Sequence, residues 1–309
     1  MINLSKLKDK ILILDGAIGT SLESYKIEKS KYKNFNYCNE VLNITNPEIV
    51  KEMHRKYIVA GADIIETNTF NCNMLTLGSS DIKGENAVYE ICKKGCNLAI
   101  QVKKEFYPRK TYVAGSVGPT FISLTMTTKD NYFQEREKLK NIYYNQLKGI
   151  VESEIDFLLI EIVFDKLNLQ VALEGYFKIK DEKKVEIPVI ISFAINEKGK
   201  IYSGEDVVDI IKEIDCENII GYGFNCCKIG KELITSLEKL KGATDKLIIC
   251  YPNAGMPDEK GVYPITLEMM KEFYKEIIEK KLVNIVGGCC GTTFKEIEIL
   301  KKLVESRDK

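Results

Sequence analysis

The sequence predicts an α/β protein built as one (β/α)8 barrel of the TIM type, a single domain over residues 1–309. Three observations carry this. Eight short apolar runs recur along the chain, stretches with helical spacing separate them, and polar side chains stand where the runs end. Near-continuous hydrophobicity marks strands buried on both faces, as in a parallel sheet. Eight such strands alternating with helices in 309 residues fit a closed barrel. The rival, an open doubly wound sheet, is disfavoured because no GxGxxG turn follows the first run.

The eight runs are ILILDG (11–16), ADIIETNTF (62–70), YVAGSVG (112–118), DFLLIEIVF (156–164), PVIISFAI (188–195), NIIGYGFN (218–225), KLIICYPN (246–253) and VNIVGG (283–288). A helix is expected from Asn46-Pro47-Glu48, with Asn46 as N-cap, Pro47 in the first turn and Gly61 as the stop. Segments 81–105, 131–153, 166–180, 205–215, 228–242 and 265–281 carry the same spacing. Residues 21–45 form a long polar and aromatic βα loop, a natural cover for a site, and residues 119–133 are a second candidate.

Composition narrows the function classes. Lys+Arg and Asp+Glu both number 45, so nothing electrostatic favours nucleic acid or an anionic membrane. The start, MINLSKLKDK, lacks the apolar core and cleavage site of a signal peptide, and no run reaches membrane-spanning length. Ten cysteines without a secretion signal point to a reducing cytoplasm, where clustered cysteines read as metal ligands or catalytic thiols.

The chemistry is expected at the strand ends, since barrel active sites lie at the C-terminal face. Asp15, Glu66, Asn68, Glu161, Asn225, Cys226, Asn253, Cys289 and Cys290 all fall there. Cys289 and Cys290 sit between glycines in VGGCCGTT (286–293), and FNCC (224–227) supplies a third thiolate. Three thiolates suit a Zn²⁺ with one position open; the bland alternative is packing, because free cysteine is often core. A tris-thiolate site donates too much charge to make a good hydroxide generator. It suits a substrate thiol, whose pKa a metal lowers from about 8.5. Asp15 and Glu161 can hold an ammonium group, and the turn DGAIGT (15–20), including Gly16 and Ala17, can offer backbone N–H groups to a carboxylate. Together these would orient an amino acid bearing a thiol.

In this order, DGAIGT, ADIIETNTF, GSVGPT, LLIEIVFDKLN, GFNC, YPNAGMP and NIVGGCCGTT resemble the homocysteine S-methyltransferase family. The likeness is strongest to the homocysteine-binding barrel of cobalamin-dependent methionine synthase and runs from about residue 11 to 300. The resemblance implies Cys226, Cys289 and Cys290 as catalytic zinc ligands, and Asp15 and Glu161 on the amino group of L-homocysteine. Glu66, Asn68, Asn225 and Asn253 are further candidate substrate contacts. It implies methylcobalamin as donor, on a corrinoid-binding protein or module charged from methyltetrahydrofolate. Betaine, S-methylmethionine and a non-catalytic zinc-binding barrel remain alternatives. The segment after Cys290 is too short for folate or cobalamin modules, so the chain reads as a free-standing acceptor subunit or a fragment of a larger enzyme.

Some residues depart from the pattern. Cys227 can compete with Cys226, and Ile162 stands where methionine synthases usually carry Thr. Cys72 near the mouth is expected to be a bystander. Cys38, Cys92, Cys96, Cys216 and Cys250 are expected to pack. His54, the single histidine, is expected to pack or lie on the surface, and its surroundings lack the DxHxxG pattern of corrinoid-binding domains.

Overall fold

The computed structural model describes residues 10–32, 38–78, 84–259 and 261–307. Most of the N-terminal stretch, residues 33–37 of the first loop and positions 81–83 of the expected second helix lie outside them. Eight strands fall on the eight apolar runs: β1 (Leu12–Ile13), β2 (Ile64–Glu66), β3 (Tyr112–Val117), β4 (Phe157–Val163), β5 (Val189–Phe193), β6 (Ile219–Asn225), β7 (Leu247–Tyr251) and β8 (Ile285–Val286). The helices packed around them are α1 (Pro47–Ala60), α2 (Glu85–Glu105), α3 (Tyr132–Val151), α4 (Lys166–Lys183), α5 (Val207–Ile214), α6 (Lys231–Ala243), α7 (Leu267–Glu279) and α8 (Phe294–Arg307). The last of these was not expected from the sequence.

The sheet runs β1-β8-β7-β6-β5-β4-β3-β2, with parallel pairing throughout. A parallel bridge between Leu14 and Ile64 joins the two ends. The Asp15 and Asp63 amides donate to Ile64 and Ile13 carbonyls at 3.0 and 2.7 Å across that seam. The ring is thereby closed, leaving no edge for another chain to extend.

The pleat then sorts the side chains. Leu14, Ile64, Tyr112, Ala114, Phe157, Leu159, Ile190, Ile220, Leu247, Ile249, Tyr251 and Ile285 form one apolar cluster inside the ring. Their neighbours in sequence, such as Ile65, Val113, Leu158, Ile191 and Ile248, belong to a larger cluster between strands and helices. Successive strand residues face opposite sides, so both clusters arise from the same runs. Inside the ring there is no room to spare: a Cβ on Gly223 would lie 1.8 Å from the Ile249 carbonyl oxygen. Following the inward positions towards the C-terminal end, Phe157 and Leu159 lead to Glu161, Ile64 to Glu66, Ala114 to Ser116 and Ile190 to Ser192. The barrel is apolar below and polar at its mouth.

Some helix starts carry a side-chain cap and others do not. Asp165 caps α4, its Oδ1 accepting from the Leu167 and Asn168 amides at 2.9 and 3.3 Å, and its Oδ2 holds Thr125 of the β3–α3 loop. Gly61 ends α1 with φ 129°, where a side chain would also strike Lys301. Asn46 occupies the N-cap position of α1, yet its side chain makes no capping bond there; Pro47 starts the helix without one. Among the described residues no helix is long and apolar enough to cross a membrane.

His54 on α1 is fully buried, and neither ring nitrogen has a hydrogen-bond partner among the described residues. Burial disfavours the imidazolium and pushes its pKa down to about 3. Above the unfolded value near 6.5 the ring is neutral in both states. Below it the unfolded chain takes up a proton that the native state refuses. Stability should therefore fall as pH drops from about 6.5 towards 3, by up to about 1.4 kcal/mol per pH unit. Urea melts across this range should show a shallower slope for His54→Leu than for the parent; parallel slopes would assign acid lability to the carboxylates alone.

Candidate active site

The three cysteines converge at the mouth. The Sγ atoms of Cys226, Cys289 and Cys290 lie within 4.8 Å of one another, and no other such group of three metal-ligating side chains occurs among the described residues. Backbone strain brings the first of them in. Asn225 faces inward, so strict alternation would turn Cys226 outward. Cys226 instead adopts φ 52°, a left-handed conformation costing about 1–3 kcal/mol for a non-glycine residue. Cys227 then points into the wall, where its sulfur accepts from the Ile195 amide at 3.3 Å and lies 3.0 Å from the Asn225 carbonyl. Competition between the two is thus resolved geometrically in favour of Cys226.

Cys289 and Cys290 follow β8 through a tight turn. The Cys289 amide donates to the Pro252 carbonyl, the Ala254 amide to the Cys290 carbonyl, and the Thr292 amide back to the Cys289 carbonyl, at 2.9, 2.9 and 3.0 Å. Gly291 has φ 81°, and a Cβ there would meet the Tyr263 ring at 2.3 Å. Without a metal, the three sulfurs share charge unequally. Hydrogen bonds from Cys289 and Cys290, helped by Asn253, hold the Cys226 thiol down to about 3. The same contacts push Cys289 up strongly and Cys290 up to about 12. Asn253 Nδ2 lies 3.4 Å from Cys226 Sγ, while its Oδ1 is buried without a partner. This donor set fits a soft divalent cation: three thiolates that crowd one another when metal-free, with Cys289 and Cys290 opening on one side to a cavity.

That cavity, about 220 Å³, is walled by the segment Gly16–Thr20, Glu66, Asn68, Phe70, Ser116, Glu161, Tyr251 and the cysteine turn. Glu40, Glu66 and Glu161 line it, and Asp15 is buried beside Glu66. Glu40 accepts from the Asn71 amide at 2.6 Å and the Cys38 thiol at 3.3 Å. Asp15 Oδ2 accepts from the Glu66 amide at 3.0 Å. Glu161 accepts from Ser116 Oγ on one oxygen, and from Asn225 Nδ2 and the Tyr251 hydroxyl at 3.2 and 3.3 Å on the other. Asp15 and Glu66 are pushed well above the usual carboxylate range by burial and by the neighbouring acids; Glu161 rises to about 7, its burial partly offset by Ser116 and Tyr251. No lysine or arginine is among the described residues of the wall. Buried acids without a counter-ion form a site for a cation brought by a ligand.

Other expected residues take distinct places. Asn68 lines the cavity and donates to the Asn39 carbonyl and Asn43 Oδ1. The Ala17 amide donates to Thr292 Oγ1 at 3.2 Å, and Tyr57 bonds the Ala17 carbonyl at 2.9 Å, so the glycine turn is clamped to β8 and α1. Asn225 is fully buried behind Glu161: its Oδ1 accepts from the Ile162 amide and Ser192 Oγ at 3.0 and 2.8 Å. Ile162 has φ 53° beside an irregularity in the β4–β5 register, which turns its side chain to the cavity wall. Cys72 is buried and bonds the Val88 carbonyl at 3.7 Å. Sequence reasoning missed Ser116, Ser192, Tyr251 and Thr292. The first two were visible as lone hydroxyls within apolar runs at inward positions.

A family model described as homocysteine S-methyltransferase matches residues 12–304. The chain belongs to the homocysteine S-methyltransferase family. Among solved structures it is similar to the homocysteine methyltransferase MmuM from Escherichia coli. The oxidized form aligns with TM-score 0.74 at 21% identity, over 97% of this chain and 98% of that one. The metallated form aligns with TM-score 0.73 at 20% identity, over 97% and 99%. At such identity the likeness shows the shared barrel. The cysteine trio and the acid-lined cavity of this family member are features of its own residues.

Replacing Asn225 by Leu would leave the Ile162 amide, Ser192 and one Glu161 oxygen each short of a partner. At about 1–3 kcal/mol per buried unsatisfied group, Asn225→Leu should lower stability by about 3 kcal/mol or more in a urea melt, and Ser192→Ala by clearly less. Equal losses would place the network's weight on the Ser192–Asn225 contact alone.

Proposed function

We propose that this chain transfers a methyl group to the thiol of L-homocysteine, giving methionine, with Zn²⁺ held by Cys226, Cys289 and Cys290. The observation that carries the reading is the convergence of three thiols, two of which line a cavity whose other wall is acidic and holds no lysine or arginine among the described residues. An amino acid with a side-chain thiol spans these two walls. Asp15 and Glu161 receive its ammonium group, and the segment at Gly16 and Ala17 faces its carboxylate. Glu66 and Asn68 complete the wall, while Asn225 holds Glu161 and Asn253 holds Cys226. Zinc, when bound, would lower the pKa of a thiol sharing its open position towards neutrality. The thiolate sulfur attacks the methyl carbon in line with the leaving group: the S–C bond forms as the donor–methyl bond breaks, and its electron pair stays with the donor.

For the donor we favour a methylcobalamin-carrying protein or module. Phe121 and Met126 in the β3–α3 loop and Met256 in the β7–α7 loop are 88, 86 and 77% exposed on the face that holds the cavity. Apolar side chains around a mouth suit a macromolecule presenting its methyl group there. A second reading has its own support. The chain spans nearly the whole length of the E. coli homocysteine methyltransferase chains, which suits a free-standing enzyme with a small donor such as S-methylmethionine or betaine.

Two measurements test this. Cys290→Ala should bring zinc content well below one ion per chain and abolish methyl transfer while the melt stays near that of the parent; full zinc in that variant would remove Cys290 from the ligand set. Methionine formation from homocysteine should be seen with methylcobalamin, free or protein-bound. Methionine made with S-methylmethionine or betaine alone would leave the acceptor site standing and replace the donor, and none with any of the three would overturn the reaction.

A further inference from the structure

Of the acids at the mouth, Glu40 is held by the Asn71 amide and the Cys38 thiol, and hydrogen-bond accounting distinguishes the other three, Asp15, Glu66 and Glu161. Glu161 has three donors on its two oxygens, the environment that favours an anion. Asp15 has one oxygen on the Glu66 amide, and its Oδ1 is buried without a partner among the described residues. Glu66 is also buried: its Oε1 has no partner, and no donor reaches its carboxyl group among the described residues. The two orphaned oxygens belong to residues whose chains already touch, through the Glu66 amide and Asp15 Oδ2. An anion without a single donor is the costliest state for a buried carboxyl, and like charges sharing a site cannot all ionise.

We propose that Glu66 serves this site as a neutral carboxylic acid, a hydrogen-bond donor that positions Asp15, and is not a third anion. Its proton goes to Asp15 Oδ1, and one added hydrogen bond satisfies both orphaned oxygens. Asp15 then stays ionised and oriented towards the ammonium group, and these three acids carry two negative charges against one positive charge of the ligand instead of three. Glu66 is thus a positioning residue acting through Asp15, and the assignment of a ligand to it rests on the homocysteine reading above.

Two experiments on the zinc-loaded full chain decide it. Infrared difference spectra of the ligand-free parent minus Glu66→Gln, near neutral pH, should show loss of the C=O stretch of a protonated carboxyl. Loss of an ionised carboxylate band instead overturns the proposal. Titration calorimetry with L-homocysteine should place Glu66→Gln within about threefold of the parent, because an amide N–H replaces the acid's donor. Glu66→Leu, which has no donor, should bind about tenfold more weakly, as should Asp15→Asn, which removes a charge. Glu66→Gln binding as poorly as Asp15→Asn, or Glu66→Leu binding like the parent, would refute the donor role. If the parent itself does not bind homocysteine, the substrate reading fails, while the infrared result still decides the state of Glu66.

Discussion

Everything at the mouth of this barrel depends on how Glu161 is held inside a closed sheet. Its oxygens are reached from β3 by Ser116, from β6 by Asn225 and from β7 by Tyr251, and Asn225 is in turn fixed by Ser192 of β5 and the Ile162 amide. Four residues from four other strands, with the Ile162 amide of β4 itself, therefore set one carboxylate. Parallel register makes this possible, because inward residues of adjacent strands come to one level only when the ring is closed. The network is donor-rich on that side, while among the described residues Asp15 Oδ1 and Glu66 Oε1 have no partner. That asymmetry distinguishes three otherwise similar acids.

The same level of the barrel carries the strained backbone. Ile162 and Cys226 both adopt left-handed conformations, one directly after Glu161 and the other directly after Asn225. Each breaks the alternation at the point where a strand stops being structural. Beyond Glu161 the chain turns Ile162 onto the cavity wall, and beyond Asn225 it turns a thiol towards two others on β8. The cost of these conformations is borne by the hydrogen bonds and packing beneath them, as expected where a rigid scaffold presents reactive groups.

Thiols and acids at opposite walls also explain the site's electrostatics. The acids are buried and the cysteines are part-exposed, both lack a resident cation among the described residues, and both are perturbed strongly: thiols by one another, carboxylates by burial and mutual repulsion. A divalent metal would relieve one wall and a ligand ammonium the other.

The sequence by itself determined the eight strands and seven of the eight principal helices, because continuous apolar runs and helical spacing are local signals. It also placed Asp15, Glu161 and the three cysteines at strand ends, since a polar residue closing an apolar run is visible without coordinates. The choice of Cys226 over Cys227 needed the left-handed turn, a one-residue event with no signature in composition. Burial of His54 needed the neighbours of α1, which lie far away in sequence. Asn225 could be seen at the mouth, but only the register of β4 against β6 shows that it holds Glu161. The division of roles among Asp15, Glu66 and Glu161 likewise came from tertiary structure alone. Protonation of a buried acid depends on which donors reach it, and in a barrel those donors come from strands that are distant along the chain and adjacent only after the ring has closed.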